Sequence, residues 1–412
     1  MAMAMVMALF AVMPMTALAS PNPTAANSAE FTDALSDVDD GGIITLTGSF
    51  NHNGIFVISK SFTIDLAGND LTVEADGLAI NIENAALTIK GPGTLSATST
   101  FNCGVHVNGG TLINDGAIIN AIAIDTSGNP LSELAAVYAH NGGNAAVSSA
   151  TATGANSIGV VTEDADSSVM VSGNVTATGC AISAGPETSV IVTGNVNSTN
   201  LSSGYNAVDC RASIVSIGGN LTAAGSSSHG AVWSMVGNVT IGGNVVSGDV
   251  GIKAAYGGTV TIDGALSVPV GDKYIRIGFR SDTIKTPSDF TTPTTKYGYY
   301  TYTSAGTSGE EDPSTVWVKE LPPPATTAPT SAPPATSTPP GTNVPQTNIP
   351  KTNVPQTAGQ NTTSGQTVTN VPKTGENNVL KWTALLIGSM LLLAVLSVVY
   401  FRKRYSKSNE TR

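Results

Sequence analysis

Four short stretches repeat almost unchanged in the middle of the chain and decide its fold. They read VMVSGNV at 169–175, VIVTGNV at 190–196, VSIGGNL at 215–221 and VTIGGNV at 239–245. In each stretch apolar and polar residues alternate with period 2, which is typical of a β-strand. The Gly-Asn pair that follows tolerates the positive φ of a tight turn. Each copy therefore predicts one strand that ends in a turn.

A second pattern recurs in phase with the first: a small residue, an aliphatic residue, a variable residue and usually another small or apolar one. Its copies begin at residues 54, 79, 104, 136, 159, 181, 207, 231 and 251. The step from 104 to 136 is longer than the others, which places an insertion around Asn120–Glu133. A short third strand follows each Gly-Asn turn. Three strands in about 24 residues are typical of a solenoid coil and are too few residues for a propeller blade.

These repeats predict an all-β chain, a single-stranded parallel β-helix of about nine coils over residues 42–270. The stack resembles the right-handed β-helix of the pectate-lyase-like superfamily, a resemblance of architecture that carries no catalytic motif with it. Aliphatic residues that face inward are expected to form one continuous core. The four asparagines of the turns are expected to stack as an amide ladder: Asn174, Asn195, Asn220 and Asn244.

Both ends of such a solenoid expose core and strand edges, so we expect caps. Residues 27–41 predict an N-terminal capping helix, because Phe31, Ala34, Leu35 and Val38 fall on one helical face after the N-cap candidates Asn27 and Ser28. Residues 271–320 are rich in aromatic side chains and predict a small C-terminal β cap, with strands at 299–302 and 316–318.

The two ends of the sequence carry export signals. Residues 1–19 form an apolar run that closes with Ala17-Leu18-Ala19, the pattern of a signal peptide cleavage site. No Lys or Arg precedes Lys60, so the basic segment that begins a signal peptide is missing. We interpret this as a start codon that was assigned too late. Residues 321–370 are rich in Pro and Thr and carry a single charge, which predicts an extended, wall-spanning linker.

The linker leads into Val371-Pro372-Lys373-Thr374-Gly375, an apolar run at 382–401 and a basic tail at 402–412. This order resembles the LPxTG-type C-terminus of Gram-positive surface proteins, with Val371 in place of leucine, which leaves the sortase class open. The resemblance implies that a sortase cleaves between Thr374 and Gly375 and joins Thr374 to peptidoglycan. The run is long enough to span a membrane before sorting. The alternative is an ordinary single-pass membrane protein.

Composition excludes several classes of partner. The net charge is −11, so nucleic acid and anionic lipid are disfavoured. Polyuronate lyases need basic residues and Ca²⁺ against an acidic substrate. Residues 42–270 contain four basic residues against fifteen acidic ones, which disfavours such substrates. Cys103, Cys180 and Cys210 stand too far apart in the repeat for disulfides and are expected to remain thiols.

The variable position of the second pattern is expected to point outward and to form a column across the coils. It is occupied by Phe56, Asn81, His106, Tyr138, Val161, Ser183, Asp209, Trp233 and Lys253. Aromatic rings beside charged groups favour sugar rings or a peptide. The candidate ligand residues are therefore His106, Tyr138, Asp209, Trp233 and Lys253, with the insertion overhanging the first two. The alternative is an ordinary exposed sheet face, with His106 a surface imidazole that shares no spacing with the other histidines.

The densest acidic cluster is Glu163, Asp164 and Asp166, which is either a solvated turn or a weak Ca²⁺ site. No other cofactor and no catalytic residue is expected. Together these features predict an extracellular protein, covalently attached to the cell wall, that acts as an adhesin or binds a carbohydrate or a protein. A glycan-active enzyme, either a hydrolase or a lyase, is the second hypothesis, and a purely structural surface component is the third.

Overall fold

The repeat pattern folds into stacked coils in the computed structural model, which describes residues 22–125, 134–154, 156–201, 205–225, 230–269, 273–278, 283–305 and 312–320. The described part of the chain is all-β, a parallel β-solenoid of about 10 turns, which confirms the predicted stack of parallel coils. Each coil contributes strands to three parallel sheets, which we number I, II and III in chain order within a coil.

Sheet I contains the strands of the small-aliphatic pattern and two strands that follow them. In the described part of the chain the strands of the pattern are β4 (Phe56–Ile58), β7 (Ile80–Glu83), β10 (Val105–Asn108), β13 (Ala135–His140), β16 (Ile158–Thr162), β19 (Ile182–Ala184), β22 (Val208–Arg211), β25 (Val232–Met235) and β28 (Ile252–Ala255). The two further strands are β30 (Ile275–Ile277) and β31 (Thr283–Lys285), which pair antiparallel with each other.

Sheet II contains the second strand of each coil, and four of its strands (β17, β20, β23 and β26) precede the Gly-Asn turns. Its strands are β1 (Thr24–Ala25), β2 (Ile43–Leu46), β5 (Phe62–Asp65), β8 (Ala86–Lys90), β11 (Thr111–Asp115), β14 (Asn144–Val147), β17 (Ser168–Val171), β20 (Ser189–Val192), β23 (Ile214–Ile217), β26 (Asn238–Ile241), β29 (Thr259–Ser267), β32 (Tyr300–Thr303) and β33 (Thr315–Glu320).

Sheet III follows the turns. Its strands are β3 (Phe50–Asn53), β6 (Asp70–Ala75), β9 (Thr94–Ser99), β12 (Ile118–Ile124), β15 (Ser149–Thr153), β18 (Val175–Ala177), β21 (Val196–Leu201), β24 (Leu221–Gly225) and β27 (Val245–Ser247). Strand β29 continues through the corner and pairs with both β26 and β27, so it joins sheets II and III.

The core is a column of aliphatic side chains, because residues of one strand alternate between the inside and the outside of the coil. In β20, Val190 and Val192 are buried whereas Ile191 between them is exposed. Because each strand pairs in register with those of the coils before and after it, equivalent residues stack on one another along the solenoid.

The asparagine ladder is present, and it runs from side chain to backbone. The Oδ1 atom of Asn174 accepts a hydrogen bond from the backbone N–H of Asn195 at 2.8 Å. The same contact joins Asn195 to Asn220 at 2.9 Å and Asn220 to Asn244 at 2.8 Å. Each coil therefore supplies the acceptor for a turn N–H of the next one.

The reason we gave for the glycine before each asparagine was wrong. Neither residue of the pair stands among the positive-φ positions of the described chain. Glycine is required by close approach instead: a Cβ atom at Gly219 would lie 2.5 Å from Oδ1 of Asn195, and one at Gly243 would lie 2.4 Å from Oδ1 of Asn220. The ladder thus leaves no room for a side chain at this position.

The N-terminal helix is confirmed as α1 (Ser28–Asp37) with Asn27 as its N-cap. The Oδ1 atom of Asn27 accepts from the backbone N–H of Ala29 and Glu30, and Oε2 of Glu30 accepts from the N–H of Ala26 at 2.8 Å. Asn27 thus satisfies two of the first amides of the helix, and Glu30 binds the backbone just before the N-cap. The buried face of α1 carries Phe31, whose ring contacts those of Phe50 and Phe56.

The C-terminal strands β32 and β33 form at the predicted places and pair antiparallel. The coils nevertheless continue past residue 270, where we expected the cap to begin, because β30 pairs parallel with β28. Its sequence, Tyr274-Ile275-Arg276-Ile277, escaped the pattern because the small first residue is replaced by a buried tyrosine.

The insertion begins later than predicted. Residues 118–124 are the regular strand β12, paired with β9 and β15. Residues 126–133 lie outside the described part, as do the predicted signal peptide (1–19), linker (321–370), sorting motif (371–375), transmembrane run (382–401) and basic tail (402–412). Within the described residues, no helix has the length and apolarity to cross a membrane.

Candidate functional site

The outward residues of sheet I form one column, as their spacing predicted. His106 is paired with Asn81 and with Tyr138, and Tyr138 is paired with Val161. The column continues in register through Ser183, Asp209, Trp233 and Lys253 and then through Arg276, which sequence reasoning missed. We call this set the outer column.

The first member of the predicted column was wrong. Phe56 is buried in the core and pairs with Ile80, whereas Val57 pairs with Asn81 and is 54% exposed. The turn before β4 is shorter than the equivalent turn of the next coil: Asn53 and Val57 are four residues apart in sequence, whereas their register partners Glu74 and Asn81 are seven apart. Alignment on the small residue Gly54 therefore placed β4 one residue out of register. A shift of one residue exchanges the two faces of a strand.

His140 joins His106 and Tyr138 on this face, although the sequence suggested no relation between the histidines. The Nε2 atoms of His106 and His140 lie 3.0 Å apart. The ring of Tyr138 stacks on that of His140, with centroids 4.9 Å apart and planes at 18°. The relation was hidden because the insertion separates the two histidines by 34 residues and His140 lies one outward position further along its strand.

The hydrogen bonds around the two imidazoles run in one direction. The Nδ2 group of Asn81 donates to Oε1 of Glu83 at 2.8 Å. The Oδ1 atom of Asn81 therefore faces His106 and accepts a hydrogen bond from its Nδ1–H at 2.7 Å. Neutral His106 then has a lone pair on Nε2, which accepts from Nε2–H of His140. The Nδ1 atom of His140 in turn accepts from Nδ2 of Asn141 at 3.1 Å.

Burial keeps the imidazole of His106 neutral at ordinary pH. Desolvation, followed by the neighbouring His140, lowers the pKa of His106 to about 4, although Glu83 acts in the opposite direction. Burial raises the pKa of Tyr138, and the hydrogen bond from its hydroxyl group to Oε2 of Glu163 at 2.6 Å acts in the same direction. Tyr138 therefore remains a hydrogen-bond donor.

The predicted Ca²⁺ cluster is distributed among other contacts. Glu163 accepts from Tyr138, and Asp164 accepts from the backbone N–H of Asn141 at 3.2 Å. Asp166 is exposed, and both aspartates occupy positive-φ turn positions. No group of three or more acidic, histidine or cysteine side chains in the described ranges is arranged to hold a metal ion, so the Ca²⁺ hypothesis gains no support.

A second polar cluster lies further along the outer column. Arg211 donates to both carboxylate oxygens of Asp209, at 3.1 and 2.8 Å, and forms an ion pair with it. The guanidinium carbon of Arg211 lies 5.3 Å from the ring centroid of Trp233, within cation–π range. The indole of Trp233 is thereby held beside charged groups, and Lys253 follows it in the column.

All three cysteines lie within the described residues, where they are buried and form no disulfide. Burial raises the pKa of Cys180 to about 12 and raises that of Cys210 as well. Thiols in this state are poor nucleophiles and poor metal ligands.

A shallow depression of about 260 Å³, lined by Ile113 and Met170 among others, lies on sheet II and does not involve the outer column.

No protein-family model, curated protein or solved structure matches this chain.

Proposed function

We propose that this protein is a wall-anchored surface protein that binds a carbohydrate on the outer face of sheet I. The observation that carries the proposal is the order of side chains in the outer column. Tyr138 and Trp233 stand four strands apart, about 19 Å at the usual strand spacing. Between them lie the buried Val161, the half-buried Ser183 and Asp209.

This arrangement suits a short run of sugar rings. The apolar face of a sugar stacks on aromatic side chains, and its hydroxyl groups donate to carboxylates or accept from guanidinium groups. Glu163 lies beside Tyr138 at one end, and Asp209 with Arg211 lies beside Trp233 at the other. The regular stacking of coils fixes the distance between Tyr138 and Trp233. The protein therefore loses little conformational entropy when a ligand binds.

Display on the cell wall is the second part of the proposal. It rests on residues 371–375, 382–401 and 402–412, whose order resembles a sortase signal. Sortase is the proposed partner in assembly, and peptidoglycan is the proposed covalent attachment through Thr374. We further propose that the coils wind right-handedly, since crossovers between parallel strands almost always do.

The proposal is tested with the full chain produced in a sortase-bearing Gram-positive host, whose intact cells are applied to a glycan array. We expect binding to a restricted set of glycans. Tyr138→Ala and Trp233→Ala should each weaken binding at least about tenfold, because each removes one stacking surface.

The matched control is Tyr297→Ala, which removes an aromatic side chain that is 98% exposed and lies outside sheet I. It should leave binding unchanged, and the amount of protein on the cells is equalised with an antibody. Cells that bind no glycan, or binding that survives both substitutions in the outer column, would refute the proposal.

A further inference from the structure

Two imidazole nitrogens on neighbouring coils converge on the same point of sheet I. The Nε2 atoms of His106 and His140 are 3.0 Å apart. Two histidines bound to one tetrahedral metal ion at 2.0–2.1 Å place their nitrogens about 3.3 Å apart. The pair is therefore within a few tenths of an ångström of a ligand spacing before any metal has bound.

We propose that His106 and His140 form a binding site for a divalent transition-metal ion, which both Nε2 atoms ligate. This proposal does not depend on the carbohydrate proposal.

The backbone fixes both ligands. His106 lies on β10 and His140 on β13, and these strands pair in register over four residues. The rings are also constrained from the side, because Tyr138 stacks on His140 and its centroid lies 5.4 Å from that of His106. Such a site loses little side-chain freedom on binding a metal.

A histidine that binds a metal through Nε2 needs a hydrogen-bond acceptor for its Nδ1–H group, and neighbouring side chains supply these acceptors. Nδ1–H of His106 already donates to Oδ1 of Asn81. When Nε2 of His140 binds a metal, its proton must reside on Nδ1, which then needs an acceptor. Oδ2 of Asp164 lies 3.9 Å from that atom and is the carboxylate in position to accept it.

The ligand chemistry selects the class of ion. Imidazole nitrogens favour Zn²⁺, Ni²⁺ and Cu²⁺, whereas Ca²⁺ and Mg²⁺ prefer oxygen ligands. Glu83, Glu163 and Asp164 surround the pair and attract cations. Since no larger ligand group occurs among the described side chains, the two histidines supply the protein ligands and water fills the remaining positions.

The first test is titration of the purified full chain with Zn²⁺ in a calorimeter at neutral pH. We expect one Zn²⁺ per chain, and His106→Asn or His140→Asn should abolish binding. Asp164→Asn should weaken Zn²⁺ binding about tenfold, because it removes the carboxylate that accepts from Nδ1–H of metal-bound His140. His229→Asn and His52→Gln, which remove the other two histidines of the chain, are the matched controls and should bind Zn²⁺ as the unchanged protein does.

A second measurement keeps the test decisive if a histidine variant fails to fold. Electron paramagnetic resonance of the unchanged protein with one equivalent of Cu²⁺ should show coupling to two imidazole nitrogens. Circular dichroism checks that each variant retains its β structure. The absence of saturable Zn²⁺ binding would overturn the proposal, and so would binding that survives both histidine substitutions or a Cu²⁺ spectrum without two imidazoles.

Discussion

His52 shows how one side chain couples the N-terminal helix to pH. It is largely buried, its Nδ1 atom lies 3.0 Å from Oγ of Ser28, and Phe31 contacts its ring edge-on. Burial lowers the pKa of His52 below its usual 6.5. The unfolded chain therefore takes up this proton at a higher pH than the folded chain does, and acid favours the unfolded state.

We predict that the stability contributed by neutral His52 is complete above about pH 6.5 and declines as the pH falls below that value. Thermal unfolding at pH 7.5 and at pH 5 measures the effect. His52→Gln keeps a hydrogen-bonding side chain without a charge, so its loss of stability on acidification should be smaller. An equal loss in both proteins would show that other groups cause the acid sensitivity.

For individual residues, the sequence predicted the positions that follow the repeat, and the predictions were wrong where the repeat is irregular. The outer column from Asn81 to Lys253 follows from the repeat, because in-register coils stack equivalent residues. Phe56 was misplaced because the turn before β4 is shorter than the later turns, so alignment on Gly54 exchanged the faces of the strand. His140 and Glu83 were missed because they lie at the next outward position, and a single column of the repeat does not reveal contacts between columns.

At the scale of the element, the Gly-Asn turn connects consecutive coils through hydrogen bonds and close backbone packing. Its sequence signature was easy to see, but its physical cause was not, because a glycine is compatible with either a positive φ or a close contact. The structure resolves the question through distances: a Cβ at Gly219 would also lie 2.7 Å from the carbonyl oxygen of Gly194. The ladder requires that backbone approach, so the signature is a packing requirement between coils.

Gly219→Ala should destabilise the protein by about 1–3 kcal/mol, because the new methyl group must push apart two coils that the ladder holds together. Gly77→Ala is the matched control, since a Cβ there would make only an ordinary contact of 3.6 Å with Ile55. Its effect should lie within about 0.5 kcal/mol of zero. Urea unfolding monitored by circular dichroism gives both values, and equal effects would contradict this account of the turn.

At the scale of the whole solenoid, stability comes from contacts between consecutive coils, so the ends depend on their caps. Helix α1 covers the first coils with Phe31, whose ring touches Phe50, His52 and Phe56. The helix was predictable from its 3.6-residue apolar period and its N-cap signal. Its aromatic contacts were not predictable, because Phe50 and Phe56 come from different sheets.

Phe31→Ala should destabilise the described N-terminal coils by about 3–5 kcal/mol, because it leaves a cavity among aromatic rings that no neighbour can fill. Since each coil contacts only its neighbours, the effect should fade with distance from α1. Hydrogen exchange read by mass spectrometry should therefore show lost protection in β4 and β5 and unchanged protection in β23 and β26. Phe101→Ala, at a position that is 51% exposed, is the control and should alter neither region. A uniform loss of protection along the chain would instead mean that the coils unfold as one cooperative unit and that the helix is more than a local cap.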